Sequence, residues 1–398
     1  MDNTTPAMKQ FYELKKQVDD CLLFFRMWDF YELFWEDAHI AHRVLWISVT
    51  SRNKNAADPI PLAGIPYHAK AKYLPMLVSA WYKVAIAEQV SDPKLKWIVQ
   101  REIVRIVTPA TLELEWEEYS QIENTNILLS ITQDKENYWM SFLEMNSNKW
   151  YTCEFVNLEW LKNELYKISP KEVILDKKLF WNNDIKEILE KKFWLNIYYF
   201  SSQNNPQKSL QNHFWVKNLD WFWLHNKSLA TSSANLLLEY LSHNQKADLK
   251  FLQSLRYMNF DSFMNLDDST IFSLDLIYNL STKSSSVWTL LWVLNKSKTA
   301  AWNRYLREQI IKPLQNIEEI ETRHNYIQEF YSDKILLDEV RQDLMYVADI
   351  DSILNRIALN RTNPRDLLNL KKSLESVMKV IELIQQKGST KLQNIIKQ

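Results

Sequence analysis

Turns and helix ends constrain this chain more tightly than its apolar patterning does. Its 398 residues include only 2 glycines, Gly64 and Gly388, beside 17 tryptophans. Average usage of about 7% would supply roughly 28 glycines at this length. Left-handed helix caps and tight turns fall to glycine because it has no Cβ to clash. Asparagine can fill some of those places, but not all of them. Apolar residues make up 46% of the chain and aromatics 13%, which excludes a disordered chain and supports real cores. The glycines therefore read as displaced, not dispensable.

The length accommodates two or three domains. Lys and Arg number 48 against 49 Asp and Glu, a net charge of −1, which excludes a uniformly basic nucleic-acid coat. Cys21 and Cys153 lie far apart and suggest buried small hydrophobes in a reducing compartment, not a disulfide framework. Met1 to Lys16 is polar, without the apolar core of a signal peptide, and no run approaches the roughly 18 apolar residues of a membrane span. A soluble, cytoplasmic protein with no membrane association is expected.

Helix and strand signals alternate through residues 1–110. Thr4-Thr5-Pro6 opens a helix running to about Asp19, and Leu22 to Met27 is an apolar run of strand length. A helix carrying Tyr31, Phe34, Ala38, Ala41 and Leu45 follows, then a strand at Ile47–Thr50 and a Pro-punctuated loop from Ile60 to Tyr67. A helix over 69–80 precedes strands at Tyr82–Glu88 and Glu102–Val107. Glu113, Glu115, Glu117, Glu118 and Glu123 then mark a solvated acidic linker near 113–125. Residues 126–230 mix short strands with helices at about 158–167 and 184–192, a second α/β pattern. From about Ser228 the periodicity becomes helical. Leu367, Leu370, Leu374, Val377, Ile381 and Ile384 form one stripe, opened by the Asn363-Pro364 cap, and Val347, Ile350, Ile353 and Ile357 form another. The two read as antiparallel helices joined near 360–363. Ser389 to Gln398 is expected to end without a compact closing element.

The chain carries no G-x-x-x-x-G-K-[S/T] loop, even with every Trp read as Gly, and no H-E-x-x-H or C-x-x-C. His39 and His42 read as surface or packing residues. Glu144, Asp176 and Asp184 lack the spacing of a nuclease set. No catalytic residue and no metal ligand is assigned.

One constellation is specific. Phe25-Arg26-Met27-Trp28-Asp29-Phe30-Tyr31-Glu32-Leu33-Phe34 resembles the F-x-R-M-G-D-F-Y-E-L-F segment of the MutS family of bacterial mismatch repair proteins, with Trp in place of Gly. Pro61 to Ala69 is similar to P-M-A-G-I-P-Y-H-A, and Val84 to Gln89 and Val104 to Thr111 continue the likeness. Asn218 to Leu224 resembles S-L-D-G-F-G-L, Lys298 to Trp302 resembles K-T-A-M-G, and Asn363 to Leu367 matches N-P-R-D-L. The resemblance runs in order along nearly the whole chain.

It implies a multidomain architecture: a mixed α/β mismatch-binding domain (1–112), the acidic linker (113–125), an α/β RNase H-like connector (126–230), and all-α core/lever helices (231–398), incomplete. The DNA clamp, the return of the lever and the ATPase would follow Gln398, so ATP and Mg are expected only with that absent ATPase domain. The chain alone carries no cofactor and no catalytic site, whereas a full-length relative would be a DNA-dependent ATPase. The implied ligand is mismatched double-stranded DNA, and the implied partners are MutL and a second copy in the full-length protein. Phe30 and Glu32 occupy the family's Phe-x-Glu recognition pair. Across 70–105, seven cations stand against three carboxylates, and Arg105 with the Gly64–His68 loop is the expected phosphate-side contact. Two alternatives remain beside this reading: a scaffold relaying to MutL without mismatch preference of its own, and a nuclease on the middle domain. The resemblance also sharpens the glycine deficit. Trp28, Trp35, Trp46, Trp81, Trp97, Trp215, Trp221, Trp223, Trp288 and Trp302 stand where MutS sequences commonly carry Gly, while Trp292 stands where many carry Trp. UGA codons meant as glycine and read as tryptophan would produce this pattern.

Overall fold

A computed structural model of the chain describes residues 5–396, apart from 53–58, 92–98, 113–125, 136, 156, 194, 225–227, 248, 259–262 and 280–286. The expected acidic linker and Trp97 lie outside the described residues.

Leu22–Met27 (β1) opens with apolar residues at both alternating positions, so both of its faces need cover. Leu22 and Phe24 join Leu33, Ala38, Ala41 and Leu77 on one side, and Leu23 and Phe25 join Met8, Phe11 and Leu14 on the other. Helix α1 (Pro6–Gln17) covers the second side, and α2 (Glu36–Leu45) and α3 (Lys70–Ser79) cover the first. Strands β2 (Phe30–Phe34), β3 (Thr50–Arg52), β4 (Ile60–Pro66), β5 (Val84–Gln89) and β6 (Arg101–Val107) complete a six-stranded sheet ordered β3-β4-β2-β1-β5-β6. The strand expected at Ile47–Thr50 starts later, because Trp46 ends α2 in the left-handed conformation and residues 47–49 pass outside any strand.

The second sheet is built on a meander of β7 (Ile127–Asp134), β8 (Asn137–Glu144) and β9 (Lys149–Phe155). β10 (Glu172–Leu175), β11 (Asn196–Tyr199) and the two-residue β12 (Arg256–Tyr257) add in parallel, giving the order β11-β10-β7-β8-β9-β12. Helix α4 (Leu158–Ile168) covers one face through Leu161 and Leu165. Helices α5 (Pro206–Phe214) and α6 (Ser228–Gln245) cover the other through Leu210, Leu237 and Leu241. Ser130 Oγ donates to the Ser233 carbonyl at 2.7 Å, fastening α6 to the sheet. The helix expected at 184–192 divides into an α segment, Asn183–Glu187, and a wider π turn, Ile188–Lys192.

The remaining chain is mostly helical, with α7 (Ala300–Ile311), α8 (Ile317–Ser332), α9 (Lys334–Leu344), α10 (Ile350–Ala358), α11 (Pro364–Lys387) and α12 (Thr390–Ile396) as its main elements. The N-P-R-D motif is a helix start. Asn363 Oδ1 accepts the Asp366 N–H at 2.8 Å, and Asp366 Oδ2 accepts the Asn363 N–H at 3.1 Å. Arg356 grips the same carboxylate at 2.6 and 3.1 Å. The apolar stripe of α11 is only partly covered, with Leu367 and Leu374 exposed. Against the expectation of an open end, Thr390–Ile396 forms a helix whose Leu392 is buried with Leu336 and Val340.

The turns bear on the glycine deficit. Among the described residues, thirteen non-glycine positions have positive φ, and seven of them are tryptophan: Trp28, Trp35, Trp46, Trp81, Trp215, Trp223 and Trp288. Trp46 and Trp215 are left-handed caps at helix ends, with 87% and 80% of their surface exposed. Trp221 and Trp302 are exposed without positive φ. Trp139 and Trp150 differ from these, being buried in the second core.

Both cysteines are buried, as expected. Asp176 caps the short helix Lys177–Phe180, and Glu144 pairs with Arg304 at 3.5 Å. Among the described residues no group of His, Cys, Asp or Glu is arranged to hold a metal, and no helix is long and apolar enough to cross a membrane.

Candidate nucleic-acid interface

The β1–β2 hairpin builds the candidate site. Met27 pairs with Phe30 across a two-residue turn, Trp28-Asp29, whose first residue has φ 55°. Positive φ at the first position of such a turn ordinarily selects glycine. The turn is held from several sides. Arg26 Nε donates to the Trp28 carbonyl, and the Tyr67 N–H donates to the Asp29 carbonyl at 2.8 Å. With its oxygen turned inward, the Gln89 amide accepts from Trp28 N and Arg101 Nη2, each at 3.2 Å.

Side-chain alternation puts Phe30, Glu32 and Phe34 on one face. Phe11 of α1 packs edge-on against Phe25 and Phe34, 5.5 and 4.9 Å between ring centres. That cover does not extend to the hairpin end, where Phe30 is 49% exposed while Phe34 is buried. Gly64 lies opposite Glu32 on β4, beside the Phe30 ring, and a Cβ there would sit 3.9 Å from Phe30 Cδ1, an ordinary contact.

Glu32 is half-buried and pairs with Arg52 of β3, whose Nη1 donates to Oε2 at 3.2 Å. Burial raises the Glu32 carboxyl above its ordinary 4.5, against the opposing pull of Arg52 and then Arg101. Arg101, at the near end of β6, lies over the Phe25 ring at 4.9 Å and donates to the carbonyls of Arg26 (2.6 Å) and Val99 (2.9 Å).

The expected site residues therefore divide. Phe30, Glu32 and Gly64 form one corner. His68 is exposed nearby in the turn Tyr67–Ala69, its ring edge-on to Tyr67. Arg105 pairs in register with Ile86 on the opposite face of the sheet and donates to the Thr111 carbonyl. Arg52 and Arg101, which meet Glu32 electrostatically, were not singled out from the sequence. Period-two alternation along β6 could have placed Arg101, but nothing local pairs Arg52 with Glu32.

Family profiles match the chain in order: MutS domain I over residues 5–115, MutS domain II over 126–253 and MutS domain III over 269–397. The chain belongs to the MutS family. A protein from Lachnoclostridium phytofermentans named "DNA mismatch repair protein MutS" is 35% identical over 401 residues, covering 99% of this chain and 43% of its own length. Proteins of the same name from Methanococcoides burtonii and Dehalococcoides mccartyi (strain CBDB1) are 35% and 37% identical, over 96% and 95% of this chain. The chain spans less than half the length of these MutS relatives, 43 to 44%. The Phe30–Glu32 corner falls within the domain I match.

Proposed function

We propose that this chain supplies mismatch recognition to a DNA mismatch repair protein, with Phe30 as a wedge and Glu32 as the group that meets the displaced base. The supporting observation is a half-exposed phenylalanine at the end of an otherwise covered sheet face, on a hairpin held by Arg26, Gln89 and Arg101. An aromatic wedge entering the minor groove unstacks a base step at a cost of a few kcal/mol. That cost is lowest where pairing is already defective. Selectivity then comes mainly from the ease of bending the damaged site. A carboxylate beside DNA is otherwise unfavourable, and the raised titration of Glu32 favours a proton shared with a base.

Gly64 and His68 are proposed as neighbours of the DNA backbone. Arg105, engaged with Thr111, is assigned instead to holding the turn after β6. MutL and a second copy are proposed partners of the full-length protein. The sequence holds no phosphate loop, so ATP and Mg are proposed only for the ATPase domain of the full-length protein.

The test is a titration of full-length protein with mismatched and matched duplexes at fixed salt. Phe30→Ala should abolish the preference for the mismatch and leave the fold intact. Unchanged discrimination would overturn the wedge and favour the scaffold reading.

A further inference from the structure

Glu172, the first residue of β10, is 0% exposed. Among the described residues it has no ion-pair partner. An uncompensated buried carboxylate is costly unless donors surround it, and here they come from three directions. Oε2 accepts the Ala110 N–H at 3.2 Å, and Oε1 accepts the Tyr240 hydroxyl from α6. The Thr108 hydroxyl, which bonds Thr111 Oγ1 at 3.0 Å, lies beside the same carboxylate and favours its charged form.

Two of those donors belong to the turn that ends the first sheet. In that turn Thr108 N donates to Thr111 Oγ1 at 2.9 Å, and Thr111 N returns a bond to the Thr108 carbonyl at 3.1 Å. Ala110 itself is fully buried in the cluster of Leu128, Trp139 and Tyr240, the core of the second unit. Beside it, the Lys83 ammonium lies 3.8 Å from the Tyr198 ring centre and pairs with Asp20 at 2.9 Å. The turn thus plugs the first unit into the second, next to the Lys83–Tyr198 contact, and it is fastened to the Glu172 carboxylate.

We infer that Glu172 is a positioning residue, one that sets the orientation of the first sheet, and with it the Phe30–Glu32 corner, against the second unit. The link from orientation to mismatch preference rests on the function proposed above. The orientation itself does not.

Spin labels at His39→Cys and Asn183→Cys, both exposed positions on different units, would report the distance between units in the full-length protein. Cys21 and Cys153 are buried and resist labelling, and any reactive thiol elsewhere in the full-length protein is replaced by serine first. Glu172→Gln keeps an acceptor for Ala110 and a polar partner for Tyr240, so it should retain the narrow distance distribution. Glu172→Leu leaves the Ala110 and Tyr240 donors buried without partners and should broaden the distribution, while lowering mismatch preference. Should the leucine variant fail to fold, Glu172→Asp keeps the charge but draws the carboxylate back from the Ala110 N–H by one methylene, and it should still broaden the distribution. A distribution as narrow as the parent's in Glu172→Asp, and in Glu172→Leu if it folds, overturns the inference. Broadening with mismatch preference intact, in a protein where Phe30→Ala does abolish it, supports Glu172 as the fastener and overturns its link to recognition. If Phe30→Ala leaves discrimination unchanged, the function proposed above fails while the distance result still decides the role of Glu172.

Discussion

Replacing Trp46 and Trp215 separately by glycine and by alanine tests whether these positions demand glycine. Both are exposed left-handed caps, so either substitution loses the same small contact area and the comparison isolates the backbone. A residue with a Cβ in this conformation costs roughly 1–2 kcal/mol. Glycine recovers that but gives back about 0.4–1 kcal/mol through its freer unfolded chain. The difference favours glycine over alanine by about 0.5–1 kcal/mol at each position. Trp302 provides the opposite control, since it lies inside α7 without positive φ. There alanine should be better than glycine by about 1 kcal/mol. Urea midpoints followed by circular dichroism, which is less affected than fluorescence by the lost indole, would read the sign. Alanine equal to or better than glycine at both Trp46 and Trp215 refutes the argument. The gene offers a second check: the displaced-glycine reading expects UGA at these positions and UGG at Trp292, and UGG throughout would end it.

Four further outcomes are expected. The raised carboxyl of Glu32 keeps its neutral form above the ordinary value of 4.5, so a contact using that proton weakens as pH rises through the shifted value; Glu32→Gln should flatten the pH profile of mismatch preference. Arg52→Gln removes a cation that opposes the rise, and the same profile should move to higher pH, as binding titrations across pH would reveal. Arg101→Ala removes charged hydrogen bonds from the hairpin base and should lower the stability of the first unit by about 1.5–3 kcal/mol in a urea titration. Burial raises Asp366, but Arg356 and the Asn363 N–H outweigh it and hold the carboxyl below 3.8. Its contribution is therefore present above that value and lost as pH falls through the depressed one, and Asn363→Ala should cost about 1 kcal/mol at neutral pH in the helical portion.

Local signals were readable where the physics is local. The apolar run at Leu22 forced a strand covered on both sides, and Asn363-Pro364 marked a helix start that the structure completes with a capping box. Phe30 and Glu32 stood out by motif. Their neighbours did not, because Arg52 reaches Glu32 through strand register set twenty residues away. The burial of Glu172 was equally hidden. A glutamate opening a strand looks solvated until two units close around it. The strand expected at Ile47 slipped to Thr50 because a cap at Trp46 kept the chain turning for several residues more.

Phe30 is held in register on both flanks, by Met27 on one side and Pro66 on the other. A wedge on a loop could recoil when pressed into a base stack. One mounted inside a paired sheet has little room to yield, so under the proposed function deformation would fall on the duplex. On the function proposed above, a phenylalanine mounted this way would act as a stiff probe sensing mechanical compliance along DNA: a sound base step would resist it, and a faulty one would give.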